Sequence, residues 1–304
     1  MSSTLETDLL LDRRRLKRRL LFWRVLAVLA VAGAGAALAM RGGAVSTAHL
    51  ARLSVEGTIS DDIKLTQAVA EAARDPAVKG MILSIDSPGG TVAGGEGLHN
   101  ALARFRQSGK PLVAVMRGTA ASAAYMIAMP AQHIFAREST LTGSIGVILQ
   151  SFEASRLMEM LGVRAEMLTS GALKGEPNPF RPLSPEGRAV MEGVLRDLHG
   201  QFVRMVAEGR HLPEARVAEL ADGRVYTGRQ ALELKLVDAI GGEPEARAWL
   251  EKEQAIPPGT PVRDLDPRGT AERVLGVSLR MLMKSLVSEW VAIDGARAVW
   301  QLRP

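Results

Sequence analysis

The chain alternates short apolar runs with amphipathic helical stretches, and this alternation restricts the folds that it can adopt. Residues 80–86 and 112–116 are short, nearly continuous apolar runs that predict buried strands. Residues 65–74 and 96–107 carry apolar side chains at helical spacing. Strands that alternate with helices indicate a parallel sheet built from βαβ units. The expected fold class is therefore α/β, with any site beyond the carboxyl ends of the strands.

Weaker patterns extend this prediction along the chain. Alternation over residues 50–57 predicts a first strand, and 134–136 and 164–168 predict short strands. Residues 186–210 predict one long helix. Residues 87–90, Ser-Pro-Gly-Gly, predict a tight turn at the end of a buried strand.

The N-terminal segment predicts a membrane anchor. Residues 13–19 are almost entirely basic and directly precede residues 20–40, an apolar stretch of the length that crosses a hydrocarbon core. A basic run also suits nucleic-acid binding, but its position beside an apolar stretch favours a membrane flank. Positive charge on this side would keep the N-terminus in the cytoplasm. A cleaved signal peptide is the open alternative, because Ala37-Leu38-Ala39 resembles a cleavage site.

These patterns give an expected domain organisation. In chain order the expected parts are a cytoplasmic basic tail (1–19), a transmembrane anchor (20–40), a linker (41–49), a catalytic domain (50–255) and an amphipathic C-terminal tail (256–304).

Composition excludes several kinds of chemistry. The chain has no cysteine, which rules out disulfides, thiolate catalysis and cysteine metal sites. None of its five histidines has metal-ligand spacing, and no phosphate-binding or dinucleotide-binding fingerprint is present. We therefore expect no metal and no small cofactor.

One serine and one lysine carry the candidate chemistry. Ser122 follows a predicted strand and precedes the apolar stretch 123–129, so it would start a helix, where the helix dipole favours negative charge. Lys174 lies in a long loop rich in glycine and proline. A lysine can activate a serine when burial lowers the pKa of its ammonium group. The alternatives are that Ser122 only caps a helix and that Lys174 is an ordinary solvated lysine.

Four segments carry a resemblance to a known family, and a later stretch, residues 223–231, also fits it. Residues 84–90, 120–122, 141–147 and the Lys174 loop occur in an order that resembles signal peptide peptidases of the SppA type. These are membrane-anchored Ser-Lys proteases. The resemblance implies a Clp-protease/crotonase-like core of repeated ββα units, preceded by a single transmembrane helix.

The resemblance also implies a role for each candidate residue. Ser122 would be the nucleophile and Lys174 the base, with Ser170 orienting the lysine. The N–H groups of Gly90 and Ala123 would stabilise the oxyanion. The substrate groove would include Gly89, Ser144, Ile145 and Gly146, with backbone near Ser144 pairing to an extended peptide.

The implied function is hydrolysis of apolar peptides, such as released signal peptides, at the inner membrane with the protease domain outside the cytoplasm. The implied assembly is a homo-oligomeric ring, an octamer in the short form of the family. Alternatives are a protease of the stomatin-partner type, an inactive scaffold on the same fold, and a crotonase acting on acyl-CoA. Ala123 and Ala124 stand where the family commonly has glycines, which predicts a narrowed primary pocket and keeps the inactive scaffold open.

Overall fold

The structure, a computed structural model, describes residues 47–265 together with Trp23 and Leu26. The predicted basic tail lies outside the described residues. So do most of the predicted C-terminal tail and all of the predicted anchor except Trp23 and Leu26. Within the part that is described, no helix combines the length and apolar character needed to cross a bilayer.

Strands and helices alternate through the first half of the described chain. The strands are β1 (His49–Ile59), β2 (Val78–Gly90), β3 (Leu112–Ala121), β4 (His133–Ala136), β5 (Leu141–Gly143), β6 (Val225–Thr227), β7 (Ala239–Ile240) and β8 (Val262–Asp264). The helices are α1 (Ile63–Arg74), α2 (Val92–Gln107), α3 (Ala123–Met126), α4 (Ser155–Met160), α5 (Pro185–Arg210), α6 (Glu214–Leu220), α7 (Gly228–Glu233) and α8 (Glu243–Glu253).

The strands form one mixed sheet in the order β6-β5-β3-β2-β1-β8. On one side of β3 the sheet divides, because two different strands pair with the two halves of β3. The first half of β3 pairs with β4, which pairs with β7, while the second half pairs with β5. All of these pairings are parallel, and only β5 and β6 are antiparallel. This division brings the carboxyl ends of β2, β3 and β5 together at one edge.

Alternate residues of the central strands face two different cores. Leu53, Leu83 and Ala114 lie opposite one another on β1, β2 and β3 and pack in the larger cluster, which includes residues of α1 and α2. Ile82 and Val113 point the other way, into a smaller cluster with residues of α8. Burial on both faces explains why β2 and β3 read as continuous apolar runs.

Side-chain caps fix where the main helices begin. Asp62 caps α1 by accepting hydrogen bonds from the N–H groups of Lys64 and Leu65. Thr91 caps α2 in the same way, and Ser184 caps α5, which has proline in its first turn. Each cap satisfies N–H groups that the helix itself cannot.

The α/β class predicted from the sequence is confirmed, and three local predictions are wrong. Residues 164–168 form no strand and are exposed, because no strand edge lies beside them to pair with. The sheet is mixed rather than wholly parallel, because β6 returns antiparallel to β5. The Ser-Pro-Gly-Gly turn is instead the end of β2, where Gly89 and Gly90 still pair with β1 after a register shift. The sheet also continues past residue 255, because β8 pairs with β1.

An ion pair between a buried arginine and a partly exposed aspartate fastens the end of α5 to the edge of the sheet. Arg210 donates two hydrogen bonds to the carboxylate of Asp238, at 2.9 and 2.6 Å, and a third to the carbonyl of Lys235. Asp238 also accepts from the N–H of Ile134 in β4. Burial alone would raise the pKa of Asp238, but Arg210 and the Ile134 N–H outweigh it, so the pKa lies below its usual value.

We predict that Asp238→Asn lowers the free energy of unfolding by roughly 2–4 kcal/mol at neutral pH, because it leaves a buried arginine without its counter-charge. The side chain of Arg210 is only 7% exposed. Since the pKa of Asp238 is depressed in the folded state, its contribution is present above the unfolded pKa and is lost as pH falls through the folded pKa. Urea unfolding should be measured at several pH values. The difference in unfolding free energy between Asp238→Asn and wild type should become smaller below about pH 4.

Asp197→Asn is the matched control, because Asp197 is an exposed aspartate on α5 whose one described side-chain bond is to Gln201. It should change the unfolding free energy by less than about 0.5 kcal/mol. A gap for Asp238→Asn that stays constant down to pH 2 would contradict the ion-pair explanation.

Candidate active site

Ser122 sits in a strained turn between β3 and α3. Its backbone angles are φ 56° and ψ −124°, in a region that residues other than glycine rarely occupy. Holding such a conformation costs on the order of 1–3 kcal/mol. The turn is held by the Ser122 N–H, which donates to the carbonyl of Gly143 at 2.9 Å, and by the Ser122 carbonyl, which accepts from Tyr125 at 2.8 Å. A strained serine between a strand and a helix is a recurrent way to present a nucleophile.

The hydroxyl of Ser122 is not committed to any structural bond. It makes no capping hydrogen bond to α3, and it has no hydrogen-bond partner among residues 47–265. The side chain is half-buried rather than enclosed. Simple capping therefore does not explain this serine.

The histidines have other contacts. His133 stacks on Trp249 with ring centroids 5.1 Å apart, and burial lowers its pKa. The Nε2 atom of His199 lies 2.8 Å from the carbonyl oxygen of Ala221. Neither ring is bonded to the Ser122 hydroxyl.

Gly89 packs directly against the serine. A Cβ atom on Gly89 would lie 2.8 Å from the Cβ of Ser122 and 3.0 Å from the carbonyl oxygen of Ala121, closer than real Cβ contacts allow. Its φ of 116° also disfavours any side chain. The hydroxyl of Ser87, which is fully buried, accepts a hydrogen bond from the Gly89 N–H at 3.1 Å. Ser87 thus shapes the backbone that touches Ser122, a role that the sequence did not reveal.

Gly90 and Ala123 lie beside Gly89 and Ser122, as the predicted oxyanion site requires. A Cβ on Gly90 would lie 1.9 Å from the carbonyl oxygen of Ile59, so only glycine fits there. The N–H of Ala123 belongs to the first turn of α3, where no earlier helical carbonyl can accept it. Donation from these two N–H groups to an oxyanion stays a prediction.

Ala123 and Ala124 both belong to the hydrophobic core, and the narrowing of a primary pocket by their methyl groups stays a prediction. Both residues are buried, at 3% and 0% exposure. A Cβ on Gly95 of α2 would lie 3.0 Å from the Cβ of Ala123, which shows that α2 packs closely on this methyl group. The two alanines are core residues, and the absence of a side chain at Gly95 makes room for the methyl group of Ala123.

The predicted groove after β5 is partly occupied by the protein itself. Ser144, with φ 48°, donates its N–H to the carbonyl of Arg224 at 2.9 Å. The side chain of Ile145 is fully buried. Residues 144–147 form no strand, and Gly146 and Val147 are only half-buried. Pairing with a peptide is therefore open to the backbone of Gly146 and Val147 but not to the N–H of Ser144.

Lys174 and Ser170 lie on an exposed loop. Both side chains are solvent-exposed, and the Lys174 N–H donates to the carbonyl of Gly171 at 3.1 Å in a local turn. Within residues 47–265 no hydrogen bond joins Lys174 or Ser170 to Ser122. One subunit thus brings the predicted nucleophile together with the glycines at the end of β2, but it leaves Lys174 exposed, whereas a lysine base was expected to be buried.

Tyr125 is a further residue that sequence reasoning missed. Its hydroxyl donates to the carbonyl of Leu236 at 2.7 Å inside the core, and burial raises the pKa of the phenol. Because Tyr125 also binds the Ser122 carbonyl through its N–H, this bond ties the serine turn to the segment between α7 and β7. An aromatic residue three positions after the serine was the available signal.

We predict that Gly89→Ala slows the reaction of Ser122 with a fluorophosphonate probe at least about 100-fold, because the added methyl group must displace the serine. The measurement is the rate of the Ser122 adduct by mass spectrometry. Gly109→Ala is the matched control, since Gly109 also has a positive φ, of 84°, but nothing within 4 Å of a Cβ. Equal rates for the two variants would show that the Gly89 contact does not matter.

Comparison with known proteins shows which family the chain is similar to. Residues 104–256 match peptidase family S49. A protein of Synechocystis sp. named "Putative protease slr0021" is 38% identical, over 75% of this chain and 83% of its own length. A protein of Enterococcus faecium named "Putative signal peptide peptidase SppA" is 36% identical, over 76% of this chain and 71% of its own length.

The solved structure of a membrane-bound stomatin-specific protease is similar with a TM-score of 0.47 and 15% identity, covering 73% of this chain and 99% of that one. The family match and the two relatives, which each cover most of both proteins, decide the assignment. The chain belongs to peptidase family S49 and is a serine peptidase.

Proposed function

We propose that the protein is a membrane-anchored serine endopeptidase that uses Ser122 and Lys174 to hydrolyse apolar peptides, including released signal peptides. The observation that carries the proposal is the strained turn at Ser122, whose Cβ packs against Gly89 and whose hydroxyl makes no capping bond. The name of the Enterococcus relative supports signal peptides as substrates.

The chemistry follows from these positions. The amine of Lys174 takes the proton of the Ser122 hydroxyl while the oxygen attacks the scissile carbonyl carbon. The N–H groups of Gly90 and Ala123 stabilise the oxyanion of the tetrahedral intermediate. The lysine then gives the proton to the leaving amine, and an acyl-enzyme remains. Water, deprotonated by the same lysine, releases the acid and restores the serine.

A second subunit completes the site in this proposal. Lys174 is exposed in a single chain, whereas a lysine base works best when it is removed from water. The same segment exposes many large apolar side chains, which a monomer rarely leaves in water. They include Ile148 (88% exposed), Phe152 (76%), Met160 (83%) and Leu168 (89%). A homo-oligomeric ring, an octamer by resemblance, would cover this surface and enclose Lys174 beside a neighbour's Ser122.

The proposed location is the inner membrane, with residues 20–40 as anchor and the protease domain outside the cytoplasm. It rests on the basic run and the apolar stretch of the sequence. This places the peptidase where signal peptides are released. A protease of the stomatin-partner type is one alternative, and an inactive scaffold is another, which the activity measurements below distinguish from an active peptidase.

We predict that Ser122→Ala and Lys174→Ala each abolish cleavage of an apolar synthetic signal peptide, because the two groups act as one unit. Rings mixed from equal amounts of the two variants should regain about one quarter of wild-type activity, the fraction of shared sites that pair an intact serine with an intact lysine. Wild-type activity should rise from about pH 6 to 9, because an amine base works only when unprotonated.

A peptide of equal length rich in lysine and aspartate is the matched substrate control and should be cleaved poorly. Turnover by either single variant would refute the assignment of that residue. Mixed rings without activity would refute the shared site while leaving the Ser-Lys pair intact. A protein that cleaves neither peptide and takes up no fluorophosphonate would be the inactive scaffold.

We predict a single span with the C-terminus outside the cytoplasm, because the basic run flanks the N-terminal side of the apolar stretch. Alkaline phosphatase fused after Pro304 should be active in cells, whereas green fluorescent protein exported unfolded to the same place should not fluoresce. The reverse pattern would contradict both the topology and the proposed pool of substrates.

A further inference from the structure

The loop that carries Lys174 contains a buried carboxylate that the mechanism above does not use. The side chain of Glu176 is only 2% exposed. One of its oxygens, Oε1, accepts a hydrogen bond from Nη2 of Arg181 at 3.1 Å. The other, Oε2, is buried without a hydrogen-bond partner among the described residues. Burying a charged group that is only half satisfied is costly, so its retention two residues from the predicted base calls for an explanation.

The carboxylate of Glu176 rests on the first turn of α5. A Cβ on Gly187 would lie 2.9 Å from Cγ and 3.0 Å from Cδ of Glu176, so only glycine allows the carboxylate to approach this closely. Ser184 caps the same turn by accepting from the Gly187 N–H at 3.0 Å. Helix α5 spans 26 residues, and the N-terminus of a helix favours negative charge. Arg181 and the helix terminus therefore hold the carboxylate from two sides.

Short turns connect this anchored carboxylate rigidly to Lys174. The Glu176 N–H donates to the carbonyl of Leu173 at 3.2 Å, and the Lys174 N–H donates to that of Gly171. Between the two residues, a Cβ on Gly175 would lie 2.8 Å from the sulfur of Met167, so the loop is packed on the preceding segment. The position of the Lys174 backbone therefore depends on where Glu176 is held.

We propose that Glu176 is a positioning residue for Lys174, and that Arg181 neutralises its charge so that the lysine can give up its proton. The inference rests on the proposed Ser-Lys mechanism. An uncompensated carboxylate two residues along the chain from an amine base would favour the ammonium form and oppose catalysis. Because Arg181 offsets the charge of Glu176, the carboxylate can hold the loop against α5 without favouring the ammonium form of Lys174.

Other charged groups around the loop are in a different situation. They lie on the segments packed against it, before and in α4, in the stretch after α4 and in the first turn of α5: Glu153, Arg156, Glu159, Arg164, Glu166, Glu186 and Arg188. All of them are exposed to solvent, where salt and water screen their charge. Glu176 differs from these residues because its side chain is buried, at 2% exposure.

The test is the pH dependence of kcat/KM for signal-peptide cleavage by the full-length assembled protein. Arg181→Gln leaves the charge of Glu176 without compensation, so the acidic limb of the profile should move to higher pH. Glu176→Gln leaves the arginine without compensation, so the limb should move to lower pH. Each shift should be roughly half a pH unit or more. The double variant should return the limb close to wild type, and Arg181→Lys should keep it there.

Matched controls remove charges of the same sign from the exposed first turn of α5. Glu186→Gln and Arg188→Gln should leave the limb in place, and thermal unfolding of every variant should confirm a folded protein. Opposite shifts cannot arise from a purely structural role, which would lower kcat without moving the limb. Limbs that stay in place or move in the same direction for Glu176→Gln and Arg181→Gln would overturn the inference.

The failure of the proposed function is a separate outcome. If Lys174→Ala cleaves the peptide as wild type does, lysine is not the base and this inference falls with it. Lys174→Ala could instead be inactive while the acidic limbs of the Glu176→Gln and Arg181→Gln profiles stay in place. The Ser-Lys mechanism would then stand, and only the role given to Glu176 and Arg181 would be wrong.

Discussion

The contact between Gly89 and Ser122 is the constraint on which the site depends. Ser122 occupies a backbone conformation that the chain does not adopt by preference, and it remains there because β2 and β5 hold it from two sides. Gly89 fills the space beside its Cβ, and the carbonyl of Gly143 holds its N–H. Both neighbours are placed by parallel pairing to β3. The register of β2, β3 and β5 therefore determines where the Ser122 side chain lies.

Local pattern was sufficient to predict the elements that are buried on one or two faces. The strands around residues 80–86 and 112–116 and the helices around 96–107 and 186–210 are all present, and the structure extends most of them by a few residues. The pairings of β5 with β6 and of β8 with β1 could not be predicted, because both join segments far apart in the chain. The strand expected at 164–168 failed because apolar alternation without a partner edge does not make a strand.

The candidate site divides in the same way. Convergence of Ser122 with Gly89 and Gly90 followed from the rule that strands of a parallel sheet end at a common edge. The left-handed conformation of Ser122 had no signal in the sequence, since serine rarely adopts it. Ser87 was also missed, because a buried serine before Pro-Gly reads as an ordinary turn residue. The surroundings of Lys174 could not be predicted from the sequence of one chain. In the proposed assembly, the groups that enclose this lysine belong to a neighbouring subunit.

The two halves of the proposed mechanism are carried by parts of the chain with different physical character. The nucleophile belongs to a close-packed core, in which a single added methyl group is not tolerated. The proposed base belongs to an exposed arm that contains a few short turns and an ion pair between buried Glu176 and half-exposed Arg181. An isolated subunit would then hold a serine without a base, and hydrolysis would begin only when apolar arms from neighbouring subunits pack together. Assembly would thus act as the switch that confines peptide cleavage to the finished ring.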